Sequence, residues 1–403
     1  MIVLEKEHKG LSTWLAFMLI PLGGLATDIF LPSLPGMGRY LNVSQSAVQL
    51  LVILFMTSSG LSQIFIGGIL DSLGRYRINL ISLLAFSLVS FLITIIPNIH
   101  VIYGLRIVQG IAVSLIIVGK RAYFVDLYSG NRLKHYTSLF SVVWATAPVI
   151  APFIGGYLEH NFGWRANFYF LALFTLTMFV LEFLYSGESL PTHERNPFKL
   201  SKIVKIYRSM LGTWDFSLGL LIIGTNYSLQ ILYSISSPFL IEEQFHHSPI
   251  TTGNSALLLG LALMAGGLVS KALIHIPLRK KLLVAILLEV ILALAMTVLS
   301  IRYSSLYTLV GIALLINLIS GFIFNNVYSY CLRRFSSNAG AASGLTGGGI
   351  YVISSILNFG LISLVTVSSQ LVYSYLNLGL VGLMSMAILG FLSHRKARSI
   401  GHE

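Results

Sequence analysis

Charge is what this chain has least of. Only 10% of its 403 residues are charged, where an ordinary soluble domain carries about 25%. Acids are the scarcer sign, 14 Asp and Glu against 26 Lys and Arg. The single cysteine, Cys331, excludes disulfides and cysteine metal sites. The histidines are scattered, with His246 and His247 the one adjacent pair, and no metal is expected. No phosphate-binding glycine loop, metal-ligand cluster or nucleophile motif stands out, so neither an enzyme nor an ATP-driven pump is expected, and no cofactor. The alternation of a membrane β-barrel is missing as well.

Apolar length is what remains. The chain is 55% hydrophobic with mean hydropathy +0.82. Runs of around 20 apolar residues recur from end to end, each long enough to cross a bilayer as a helix. The first, from Trp14 to Phe30, follows Glu5, Lys6, Glu7 and Lys9 and lacks a small-residue cleavage signal, which predicts a retained span. Twelve spans are expected, over 12–33, 45–70, 78–97, 100–124, 136–158, 164–185, 214–239, 250–273, 281–301, 304–331, 341–366 and 370–393.

The loops on one side carry Arg75, Arg77, Arg132, Lys134, Arg195, Lys199, Lys202, Lys205, Arg208, Arg279, Lys280, Lys281, Arg333 and Arg334, and the tail adds Arg395, Lys396 and Arg398. The other side has Arg39, Arg165 and Arg302. That asymmetry predicts a multi-pass protein of the cytoplasmic (inner) membrane with both termini cytoplasmic. It also accounts for the net charge of +12 without nucleic acid.

The fold class expected is an all-α membrane protein, twelve transmembrane helices in two six-helix bundles. The domains are 1–185, a cytoplasmic linker 186–213, and 214–403. In the linker, Leu200, Ile203, Val204, Tyr207 and Leu211 recur at helical spacing with Lys199, Lys202, Lys205 and Arg208 opposite. This predicts an amphipathic helix on the anionic inner leaflet. Two six-span halves fit the parallel repeat of a secondary transporter.

The most informative stretch is Tyr103 to Phe124, where Arg106, Lys120 and Arg121 interrupt an apolar run. A charge at the centre of a membrane helix costs at least about 2.5–3.5 kcal/mol and usually faces a bundle interior or wet cavity. Arg106 and Lys120 fall on one helix face, about 40° apart in projection and about 21 Å apart along the axis. Arg121 lies about 60° to the other side of Arg106. Snorkelling to the headgroups is the alternative for Lys120 and Arg121.

Other motifs follow. The turn between spans two and three reads Gly67-Gly68-Ile69-Leu70-Asp71-Ser72-Leu73-Gly74-Arg75-Tyr76-Arg77, with Gly74 permitting a tight reversal and Asp71 the only acid within it. Span five contains Ala147-Pro148-Val149-Ile150-Ala151-Pro152-Phe153-Ile154-Gly155-Gly156. Its Ala147, Ala151 and Gly155 form a small-residue ridge, and Ala262, Gly266 and Ser270 form another in span eight. Pro148 and Pro152 each remove a backbone donor and favour a bend.

The glycine-rich turn resembles the signature loop of the major facilitator superfamily, G-x-x-x-D-R-x-G-R-[RK]-[RK], with Ser72 and Tyr76 replacing usual basic residues. Arg106, Gln109 and Gly110 look like the family's fourth-span R-x-x-Q-G. The A-P-x-x-A-P-x-x-G-G element is similar to the fifth-span motif of its proton antiporters. Trp164-Arg165 and Ala339-Gly340-Ala341-Ala342-Ser343-Gly344 open spans six and eleven as in the family. From Asp28 to Gly349 the chain resembles the twelve-span drug:proton antiporters, most closely the bicyclomycin-resistance type, although Val125 stands where an arginine usually precedes Asp126. The resemblance implies pseudo-twofold bundles, spans five and eight packing across the halves, and a cavity lined by spans one, four, seven and ten. It also implies a coupling role for the fourth-span arginine.

On this basis Asp28, the only acid in span one, is the expected proton carrier, because an acid in apolar surroundings can exchange a proton near neutral pH. Arg106 is expected to compete for it. Glu289 in span nine is the other deep acid, while Glu182 and Asp215, near span ends, are expected to be solvated. Gln109, Lys120, Asn226, Tyr227, Gln230, Tyr233, Asn325 and Tyr328, with Asp28 and Arg106, are candidate substrate contacts; Ser234, Asn317 and Asn326 share those spans. Interhelical bonding is the alternative for any single one. Gly67, Asp71, Gly74, Arg75, Pro148, Pro152, Gly155 and Gly156 are candidate gate residues.

Arg106, Lys120 and Arg121 outnumber Asp28 on the lining spans, which favours an anionic, zwitterionic or polar neutral substrate, for example a carboxylate siderophore or a phenicol antibiotic. The function expected is proton-coupled export of small organic molecules by a monomer. A proton-coupled importer is the alternative, and a non-transporting receptor would need an output domain.

Overall fold

The structure, a computed structural model, describes residues 8–191, 193, 195, 200–335 and 338–393. Lys199 and the basic tail residues Arg395, Lys396 and Arg398 lie outside these. The chain divides into two compact units, Met1–Ser201 and Lys202–Glu403. Eleven helical segments among the described residues are long and apolar enough to cross a membrane. A further 33-residue helix, Gly130–Phe162, occupies the place expected for span five.

In the first unit, the opening span is broken: α1 (Lys9–Leu19), α2 (Leu22–Asp28), a 3-10 turn (Leu31–Ser33) and α3 (Leu34–Leu41) follow one another. The expected end near residue 33 is eight residues short. Pro32 and Pro35 cannot donate to a helical ladder, so the chain tightens into the 3-10 turn, closed by Ser33 N–H donating to Phe30 O at 2.9 Å, and then continues. In particular, Pro32 lacks the N–H that would reach the carbonyl of Asp28.

The remaining helices are α4 (Gln45–Leu73), α5 (Tyr76–Ile95), α6 (Ile99–Leu127), α7 (Gly130–Phe162) and α8 (Arg165–Tyr185). Ser44 and Asn98 cap α4 and α6 by accepting backbone N–H bonds from Ala47 and from His100 and Val101. Tight packing follows the glycines. A Cβ on Gly110 of α6 would run into Ser58 and the carbonyl of Phe55 on α4, and one on Gly155 of α7 into the carbonyl of Ile29 after α2.

The second unit holds α9 (Leu200–Leu211), α10 (Trp214–Phe239) with a π-turn Leu240–Gln244, α11 (Pro249–Ala272), α12 (Leu278–Arg302), α13 (Leu306–Arg334), α14 (Ala339–Leu364) and α15 (Gln370–Ser393). Helix α9 coincides with the expected amphipathic stretch of the linker, and Tyr207 packs towards the core of this unit. The two small-residue ridges find partners within their own units: Gly155 and Ala147 back onto span one, while Gly266 of α11 abuts Leu318 of α13 and Gly321 of α13 abuts Leu263.

Helix α12 shows how such a sequence sorts itself. Ala285, Ile286, Glu289, Ala293 and Met296 form its buried stripe. Leu287, Leu288, Ile291, Leu294 and Val298 are exposed. A helix with leucines outside and a carboxylate inside is built for lipid, where the apolar side needs no cover.

Candidate functional site

Asp28 is the last residue of α2 and is 5% exposed. Its carboxyl group has no hydrogen-bond or ion-pair partner among the described residues. The break in span one thus presents a buried acid whose own backbone carbonyl has also lost its helical donor.

Arg106 is fully buried nearby in the chain's packing. Its guanidinium lies between the rings of Phe30 and Phe55, with centroids at 4.5 and 4.3 Å. Nε donates to Leu51 O at 3.2 Å, and Nη1 donates to Ala26 O at 3.4 Å and to Gln109 Oε1 at 2.8 Å. Gln109 Nε2 in turn donates to Ser90 Oγ at 2.7 Å. The arginine ties α2 to α4, the glutamine reaches α5, and Gly110 lets α6 close onto α4, so each fixed letter of R-x-x-Q-G has a physical job. Arg106 Nη2 is buried without a hydrogen-bond partner. The arginine holds the carbonyl two residues before Asp28, and no ion pair joins it to Asp28 among the described residues.

Lys120 is also buried, but its charge is spent. Its Nζ lies 2.6 Å from Oε2 of Glu182 on α8, and Asn79 Nδ2 donates to the same oxygen at 3.4 Å. Glu182 is therefore not solvated as expected: it is fully buried. Asp215 departs from expectation in the same way, accepting from Tyr330 Oη at 2.6 Å and pairing with Arg334 Nε at 2.7 Å. In both cases a cation distant in sequence makes burial at a span end affordable. Arg121 is half-buried.

Beside the Lys120–Glu182 pair, a small cleft opens between Arg75, Asn79, Lys120, Tyr123 and Ser189. Arg75 lies 3.2 Å from Asp71 and 2.8 Å from Asp126. The second approach is an ion pair without a hydrogen bond from Nη1. Ser189 Oγ donates to Asp126 at 2.7 Å. Glu188, which sequence reasoning passed over, accepts from Arg75 N at 3.0 Å and Tyr76 N at 3.4 Å, so its carboxylate caps the first turn of α5. Gly74 adopts φ +92°, and a Cβ there would sit 2.6 Å from Glu188 Oε2. Gly67 faces open space, whereas Gly156 is buried. Pro148 packs where a Cβ on Gly24 would meet its ring at 3.0 Å, and Pro152 lies one helical turn further along α7.

In the second unit the expected amides and tyrosines bond partly between helices and partly within them. Asn226 Nδ2 donates to Ser320 O at 3.1 Å and Gln230 Nε2 donates to Asn226 Oδ1 at 3.2 Å. Tyr233 Oη donates to Ser255 Oγ at 3.1 Å, and Asn325 Nδ2 donates to Gly267 O at 3.3 Å. Tyr227 meets Tyr351 edge to face and Tyr328 stacks on Phe324. Asn317 bonds within its own helix, and Asn326 accepts from Lys281 Nζ at 3.2 Å.

The sequence matches the Major Facilitator Superfamily over residues 15–358. An uncharacterized MFS-type transporter, YdgK of Bacillus subtilis, is 29% identical over 346 residues, covering 85% of this chain and 86% of its own. A bicyclomycin resistance protein homolog of Haemophilus influenzae is 32% identical over 188 residues, 47% of this chain and 46% of its own. Among solved structures, a bacterial homolog of the human lysosomal transporter Spinster superposes with a TM-score of 0.73 at 14% identity, covering 98% of this chain and 99% of that one, a likeness of fold. Matched over most of its length and folded alike, the chain is a multi-pass membrane transporter that belongs to the Major Facilitator Superfamily.

Proposed function

We propose that the chain is a proton-coupled exporter of small organic molecules, an antiporter of the cytoplasmic membrane with both termini cytoplasmic. The observation that carries this reading is Asp28: a buried carboxyl without a cation, at a break in span one, beside the strand of backbone that Arg106 holds. A discontinuous membrane helix is where transporters commonly place substrate and coupling-ion sites. Arg106, unable to lose its charge, biases Asp28 through the Ala26 carbonyl and offers its unpartnered Nη2 to a substrate oxygen. Gln109, Asn226, Tyr227, Gln230, Tyr233, Asn325 and Tyr328 supply the polar contacts. Gly67, Asp71, Gly74 and Arg75, with Pro148, Pro152, Gly155 and Gly156, act as the moving joints.

The charge ledger narrows the substrate. Glu182 neutralises Lys120, so of the deeply buried charges on spans one and four, one cation, Arg106, and one acid, Asp28, are left without an ion-pair partner. That balance supports zwitterionic and polar neutral cargo over a carboxylate siderophore. Drug efflux also fits a relative named for bicyclomycin resistance.

Proteoliposomes with an imposed pH gradient test the reading, using chloramphenicol as polar neutral probe, citrate as anion and tetraphenylphosphonium as lipophilic cation. Chloramphenicol is expected to move opposite to the protons and the cation not at all. Movement of proton and probe in the same direction would overturn antiport, and a preference for the cation would overturn the charge argument.

A further inference from the structure

We propose that Glu289 is a second proton-binding site, lodged in the second unit and read by the polar side chains of span seven through Ser320. Glu289 lies in the middle of α12 and is fully buried. Its Oε1 accepts from Ser320 Oγ at 3.0 Å, while Oε2 is buried without any partner.

Among the described residues of its own helix and of α13 and α15, which pack against it, no cation is at its level. On α12 itself, Arg279, Lys280 and Lys281 come at least eight residues earlier and Arg302 thirteen later, on the order of 12 and 20 Å along the axis. On α13 the charged residues are Arg333 and Arg334, at least thirteen residues beyond Ser320, with Tyr330 and Cys331 at the same end and Tyr307 at the other. Tyr328 lies between and stacks on Phe324. Helix α15 carries no charge over Gln370–Ser393, and its titratable groups are Tyr373, which accepts from Asn377, and Tyr375. Asp215 of α10 is committed to Tyr330 and Arg334. An ionised carboxylate with one hydrogen bond and no counter-charge is among the costliest groups to bury. Forming an O–H bond at Oε2 with a proton from water removes that charge and gives the orphan oxygen a hydrogen to donate.

Ser320 links this site to the span-seven amides. Its hydroxyl serves Glu289 while its backbone carbonyl accepts from Asn226, and Asn226 accepts from Gln230. Loss of the proton leaves Oε2 in need of a donor, and Asn226 and Ser320 are the donors already in the chain of bonds. Proton release at Glu289 therefore pulls on Asn226 and frees or re-aims Gln230. This second step rests on the proposed role of span seven in holding substrate; the proton site does not.

Infrared spectroscopy of the purified, full-length protein tests it, through the carbonyl stretch of protonated carboxylic acids across an acid-to-alkaline titration. The expected result is a band that persists in Asp28→Asn, disappears in Glu289→Gln, and shifts when glutamate alone is carbon-13 labelled in the otherwise unchanged protein. Where Glu289→Gln fails to fold, Glu289→Asp in the glutamate-labelled protein keeps the test decisive, because its band no longer shifts with the label while that of any other glutamate, such as Glu159, still does. A label-insensitive band, or one unchanged by Glu289→Gln, overturns the proposal. In proteoliposomes, Glu289→Gln is expected to keep chloramphenicol transport but lose its decline towards alkaline pH. An unchanged pH profile alongside the lost band would overturn the link through Ser320 alone. Transport surviving Asp28→Asn would instead sink the export mechanism and leave the Glu289 band to be judged separately.

Discussion

Asp28→Asn is expected to reduce gradient-driven export to the level of empty liposomes while leaving the protein folded. Asparagine keeps the shape of the carboxyl group and removes its ability to ionise. No described residue pairs with Asp28, so the substitution breaks no bond that holds the unit together. What it removes is the alternation between a neutral and a negative group at the break in span one that the proposed antiport requires. The variant resembles a permanently protonated carrier. In an antiporter the protonated form is the one that returns without substrate, so substrate-for-substrate exchange should fall as well. Radiolabelled chloramphenicol counterflow, measured beside transport under an imposed pH gradient, reads both. Undiminished gradient-driven transport would take Asp28 out of the cycle.

Lys120→Met is expected to destabilise the first unit by about 3–5 kcal/mol, the usual cost of leaving one half of a buried ion pair behind. Glu182 is fully buried, and its other oxygen already lacks a partner. Without Lys120 it keeps only the long bond from Asn79, 3.4 Å. The double variant Lys120→Met with Glu182→Gln removes both charges and should recover most of the loss. Denaturant unfolding of the two single variants and the double gives the coupling energy directly. A double variant as unstable as Lys120→Met alone would show that Lys120 acts through packing against Tyr123 and not through its charge. Gradient-driven transport by the folded double variant would further show that this cation is structural, in keeping with its commitment to Glu182.

Much of this was legible in the sequence, for identifiable reasons. The spans are long, apolar and bounded by charge, and most of their helices fall within a few residues of expectation. Helix α7 starts six residues before the expected span five, and in span one Pro32 and Pro35 look like an ending but only redirect the chain through a 3-10 turn into α3. The burial of Arg106 and Glu289 was readable because each sits deep within an apolar run. Glu182 was misplaced because its position near a span end says nothing about Lys120, which lies 62 residues away and closes on it only in the folded bundle. The small-residue ridges announced close approach but not to which neighbour. Glu188 carries no local signal at all: its role comes from the reversal at Gly74 that brings the start of α5 beneath it.

The grip on Arg106 has an electrical consequence. Wedged between two phenyl rings and bonded to three oxygens, the guanidinium is a stationary positive pole. Such a pole stays in place through a cycle, so in the proposed antiport the moving charge is the proton's alone. Each turnover exchanging one neutral molecule for one proton would carry one net charge, so the resting voltage adds its own push, about 2.3 kcal/mol per charge for every 100 mV. Cells in alkaline surroundings, where the pH difference fades, would still have a battery to run it.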